Sequence, residues 1–199
     1  MSIDLNFEHP DSVIRLPLDD VETGATVAAQ TALSRFRVPV KRPVAEELEK
    51  NFAGFAQLMK TSQVQLAFAI VPDPPAVGIV GGLMVRWFDA AGDDAVQRAI
   101  DENLEGKFLL EDPQIDQFET PLGTAIRVLH RYAQDGELLS DSKTAVATTV
   151  ALEHLCWYWL LDEGLTDVVF TVTTTTSDLT RTPLLRRVTD DFAASITNV

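Results

Sequence analysis

The last third of the chain constrains the fold most. A long apolar run from Thr144 to Leu161 ends in the turn Asp162-Glu163-Gly164, and a threonine-rich segment follows from Val168 to Thr176. Two extended segments joined by a short turn predict a β-hairpin, and β-branched threonine suits an extended, half-exposed strand. Thr182-Pro183 then supplies a cap and a first position for a closing helix, with Leu185, Val188, Phe192 and Ile196 on one stripe. The hairpin is apolar on both faces, so the pattern alone does not say which face the helices cover.

Upstream, residues 1–11 read as a loose arm. Val13 to Leu18 alternates as a short strand, confined to an edge or an end by Pro17. Gly24 to Arg37 places Ala25, Ala29, Ala32, Leu33 and Phe36 on one helical face. Pro43 to Lys60 is the clearest helix, with Val44, Leu48, Phe52, Phe55 and Met59 at three- and four-residue steps. Val64–Val71 and Val77–Phe88 form a hairpin around Asp73-Pro74-Pro75, and Gly81-Gly82 marks a bulge or a close backbone approach. Asp93 caps a helix over residues 94–104, with Val96, Ala99, Ile100 and Leu104 inward. Residues 114–119 and 123–133 read as strands around Thr120-Pro121-Leu122-Gly123, and residues 134–142 as an exposed polar loop. Short turns between neighbouring strands predict an α+β fold: an antiparallel β-sheet of about six to seven strands flanked by helices, in a single domain over residues 1–199.

Composition narrows the function classes. The formal net charge is −14, from sixteen basic and thirty acidic residues. Such a surface repels a phosphate backbone or an anionic lipid at long range, so no nucleic acid is expected as partner. Arg181, Arg186 and Arg187 make the best candidate for a local basic patch; the plainer reading is a solvated helix face. No window approaches the length of a membrane span, and no export signal is visible, so the cytoplasm is the expected location. The single cysteine, Cys156, lies between Leu155 and Trp157 and is expected as a buried reduced thiol.

The segment Thr120-Pro121-Leu122-Gly123-Thr124-Ala125-Ile126-Arg127-Val128, the run from Trp157 through Thr174, and the ending Leu184 to Ile196 together resemble small actinobacterial proteins of the PsbP/Mog-type fold. That group includes the LpqN-like lipoproteins. The resemblance implies a small antiparallel sheet flanked by helices and an accessory, binding or chaperone-like role without shared catalytic residues. The chain departs from the LpqN-like proteins in lacking a lipid-attachment cysteine near its start.

Searching for chemistry yields no catalytic, cofactor-binding or metal-binding set. His9, His130 and His154 fall at no ligand spacing. Adjacent strands could bring His130 and His154 together, although a hydrogen-bonded structural histidine is the commoner outcome. His154 and Cys156 share a strand face roughly 6.5–7 Å apart, too far for a thiolate–imidazole pair. No Gly-x-Ser-x-Gly elbow, dinucleotide fingerprint or P-loop occurs. Paired carboxylates such as Asp19-Asp20 and Asp190-Asp191 fit caps and solubility better than acid–base work.

The aromatic residues remain. Trp157 and Trp159 project from one strand face, and Trp87 ends an earlier strand. Either they form core under the helices, or they mark a partner-binding patch on an open sheet face. The expectation is a non-catalytic accessory or chaperone-like module, binding a basic protein partner through Trp157, Trp159 and Trp87. The alternative is a small-ligand-binding protein with an apolar pocket between the sheet and the Pro43–Lys60 helix, His130 or His154 among its polar groups. An enzyme would require a cleft of titratable groups with perturbed proton affinities. A homodimer through an exposed strand edge fits all three.

Overall fold

The computed structural model describes residues 5–7, 10–35, 41–62, 64–72, 78–90, 92–139, 145–162 and 167–198. In chain order the elements are β1 (Leu5–Phe7), β2 (Val13–Leu16), α1 (Val21–Arg35), α2 (Arg42–Thr61), β3 (Leu66–Ile70), β4 (Gly81–Ala90) and α3 (Ala95–Leu104). Then come β5 (Phe108–Leu109), β6 (Gln114–Thr120), β7 (Gly123–Leu139), β8 (Ala145–Asp162), β9 (Asp167–Thr176), α4 (Thr182–Ala194) and β10 (Ile196–Asn198). The main sheet runs β2-β3-β4-β9-β8-β7, with β5 and β6 both on the outer side of β7. Every pairing is antiparallel. The protein is thus an α+β fold built on an eight-stranded antiparallel sheet, with a second, two-stranded sheet of β1 and β10.

The two-sided apolar character of β8 is explained by helices on both faces. Leu155, Trp157 and Trp159 join Phe68, Leu83, Val85, Phe170 and Val172 beneath Leu185, Val188 and Phe192 of α4. On the opposite face, Ile14, Leu16, Ala67 and Ala69 carry α1 and α2 through Ala28, Ala32, Leu48, Phe52 and Ala56. Further along that face, Val128, Cys156, Tyr158 and Val169 carry α3 through Val96, Ala99 and Ile100. Each fully buried aromatic or aliphatic side chain contributes about 2 kcal/mol of burial energy, so both faces are needed to hold so wide a sheet.

Close approach, and no bulge, is the reason for Gly81-Gly82. Both residues keep the register, opposite Ile70 and Ala69. A Cβ on Gly82 would lie 2.1 Å from the Phe55 ring of α2, and one on Gly81 would lie 2.6 Å from Leu185 of α4. The two glycines let a helix press on each face of the same strand.

Four sequence expectations change. Residues 5–7 of the presumed arm form β1, paired with β10, and Phe7 packs 5.7 Å from Phe192. The closing helix ends at Ala194, and Ile196 belongs to β10. Much of the stretch read as a polar loop is strand: β7 runs on to Leu139 and pairs with β8 back to Ala145. The short β5, hidden between α3 and Pro113, went unread. Residues 140–142, like Asp73-Pro74-Pro75 and His9, lie outside the described residues.

Candidate functional site

The partner surface expected at the tryptophans is filled. Trp159 is fully buried and Trp157 nearly so, at 4% exposure. The Trp157 indole N–H donates to Asp190 Oδ1 on α4 at 2.9 Å, and Arg127 donates to both oxygens of the same carboxylate. The Trp159 N–H donates to Thr120 Oγ at 3.0 Å. Phe118 of β6 lies 5.2 Å from Trp157, and Trp87 stacks 6.5 Å from Phe170 as a partly buried neighbour of the same core. α4 covers this face because its apolar stripe and Asp190 both seat on it. The candidate basic patch is likewise occupied: Arg186 chelates the buried Glu153 together with Arg131, and Arg181 pairs with Asp178.

The opposite side of the same strand is different. Strand alternation that sends Trp157 and Trp159 toward α4 sends His154, Cys156 and Tyr158 toward α3. Register places His130 directly opposite His154, with ring centroids 4.8 Å apart. The two histidines do meet. A cleft of about 390 Å³ opens between α3 and the sheet, lined by Met84, Arg86 and Phe88 of β4, Thr171 and Thr173 of β9, and His154, Cys156 and Tyr158 of β8. Ala99, Glu102, Asn103 and Lys107 complete it from the α3 side.

Asn103 organises this cleft. Its amide N–H groups reach Tyr158 Oη at 2.6 Å and His154 Nε2 at 3.1 Å. Its carbonyl accepts from the Lys107 ammonium. His154 Nε2 is therefore the acceptor, and Nδ1–H donates to Thr175 Oγ at 2.8 Å. Lys107 also approaches His130 Nε2 at 3.4 Å and sits 4.9 Å over the Tyr132 ring. His130 is fully buried, and its Nδ1 has no partner among the described residues.

Burial and the two cations set the protonation states. Burial, then the charge of Lys107, lowers His130 to about 4. Burial, then Lys107, His130 and Arg86, holds His154 well below the ordinary imidazole value. Burial pushes the Cys156 thiol up to about 11 and raises the Tyr158 phenol. Burial also lowers the Lys107 ammonium from its ordinary value. Near neutral pH the floor is therefore a set of uncharged donors and acceptors, with Lys107 and Arg86 at its sides. Among the described residues no group of three metal-ligating side chains occurs, and no helix is long and apolar enough to cross a membrane.

Other concavities lack this character. The larger furrow between α1 and α2, about 660 Å³, is lined by helix-surface residues such as Glu22, Glu46 and Lys50. Sequence reasoning missed Arg86, Asn103, Lys107 and Tyr158. One signal was present: Asn103 occupies the next inward position after Val96, Ala99 and Ile100, where a purely structural helix would carry an apolar residue. Where the sequence placed its alternative pocket, between α2 and the start of β4, an open concavity of about 560 Å³ is lined by Lys50, Asn51, Phe55, Leu58 and Ile79. Compared with known protein families and with curated proteins, the chain matches none.

Proposed function

We propose that the protein is a non-catalytic small-ligand-binding protein whose site is the cleft between α3 and the sheet. The observation that carries this reading is the convergence of Asn103, Tyr158, His154 and two threonine hydroxyls on one concavity. Its volume falls in the range of small-molecule sites, and Met84, Phe88 and Ala99 supply apolar walls beside the polar floor. Binding is favoured over acid–base catalysis by the proton affinities. His130 and His154 are moved down, Cys156 and Tyr158 up, so none of these four is poised near neutrality.

The test is a thermal-shift screen of small polar fragments against the wild type and Met84→Trp, which enlarges a partly buried side chain of the cleft lining. Stabilising fragments are expected for the wild type, with their effect lost in a variant that keeps its circular dichroism. Equal stabilisation of both proteins contradicts the site.

A second reading, an accessory module binding a protein partner, is favoured by a different observation. The outer edge of β5 and β6 exposes Phe108 at 72%, Ile115 at 52% and Phe118 at 43%. An unpaired strand edge with such side chains can accept an added strand.

A further inference from the structure

We propose that the ligand of this cleft is a small organic anion, its carboxylate or phosphate held between the Arg86 guanidinium and the Lys107 ammonium. The proposal rests on the ligand-binding reading and adds the chemical class.

Both cations line the cleft from opposite sides, Arg86 from β4 and Lys107 from beyond α3. Neither has a carboxylate within ion-pair distance among the described residues. By contrast Arg127 and Arg131 of β7 and Arg186 of α4 are each held by one. Arg86 donates one N–H to the Ser62 carbonyl at 2.9 Å, at the end of α2, which anchors the side chain. Among the described residues no carboxylate meets the rest of its planar fork, which matches an oxyanion. Lys107 is held by Asn103 and His130, both neutral, and makes no ion pair among the described residues. Glu102 also lines the cleft and makes no ion pair with either cation.

The local field follows from these two groups. Lys107 and Arg86 both act on His154 and both act on Cys156. In a chain of net charge −14, two basic side chains and one acidic one line this concavity. The Tyr158 hydroxyl accepts from Asn103 and shares a hydrogen bond with Cys156, which fixes it on the cleft floor. The volume of about 390 Å³ leaves room beyond the anion for a body that touches Met84, Phe88 and Ala99.

Isothermal titration at pH 7 with phenyl phosphate and benzoate, beside their neutral counterparts benzyl alcohol and benzamide, tests this. The expected result is saturable binding of at least one acid, weakened at least tenfold by Lys107→Met and by Arg86→Gln, with no binding of the neutral pair. Which acid binds separates phosphate from carboxylate. Arg86 is exposed, so its variant carries the test even if Lys107→Met misfolds. Acid binding that survives both substitutions overturns the proposal. Neutral probes that bind as tightly as the acids, and are blocked by Met84→Trp, overturn it while leaving the ligand-binding reading intact. No binding by any of the four overturns both.

Discussion

At Asn103 one side-chain amide serves three partners, and that economy fixes the state of its neighbours. With its carbonyl turned to Lys107, its N–H groups must face His154 and Tyr158, so His154 is held as the neutral Nδ1–H form. This has a pH consequence. The unfolded chain protonates its histidines near their ordinary value, whereas folded His130 does so only at about 4 and folded His154 well below 6.5. Below pH 6.5 the unfolded state therefore binds more protons, and stability falls as pH drops toward 4. One such histidine costs on the order of 2 kcal/mol at pH 5 relative to pH 8. Denaturant melts at the two pH values are expected to show this loss and to show less of it in His130→Gln. The buried Glu153 does not confound the window. Its burial raises the carboxyl, but Arg186 and Arg131 more than offset that, so its contribution is present above its ordinary value and is lost only at lower pH. An identical loss in both proteins would mean that His130 titrates normally.

The elements show why helices can sit so tightly on this sheet. At Gly82 the chain omits a side chain where Phe55 of α2 lies against the strand, and at Gly81 it does so for Leu185 of α4. Gly82→Ala is expected to destabilise the fold by about 1–3 kcal/mol through overpacking. In a Phe55→Leu background the same change is expected to cost less, because the clashing ring atoms are gone. Equal costs in the two backgrounds would place the strain elsewhere. Most elements were legible because their signals are local: the α2 stripe, the β3–β4 alternation, the Thr182-Pro183 start of α4. What stayed hidden depends on partners distant in sequence. β1 is strand only because β10 lies beside it. The outer part of β7 is strand only because β8 pairs with it, despite its polar residues. The candidate site was legible in part: the two histidines could be placed on neighbouring strands, but Lys107 and Arg86 join them only through the packing of α3 and the order β4-β9-β8-β7.

At the scale of the whole molecule, the sheet divides its aromatic and polar residues between faces. The face under α4 takes the indoles of Trp157 and Trp159, locked by Asp190 and Thr120. The face under α3 takes His130, His154, Tyr158 and Cys156 and keeps an opening to solvent. In a chain of net charge −14, Arg86 and Lys107 thus line a cleft on the opposite side of the sheet from its main aromatic core. The measurement that tests this account most directly is a crystal structure of the protein soaked with a mixed set of small acids and amides. The account predicts electron density for a bound fragment in the α3 cleft, within hydrogen-bond distance of Asn103 or Tyr158. Fragments found only along the β5–β6 edge, with the cleft holding nothing but water, would contradict it.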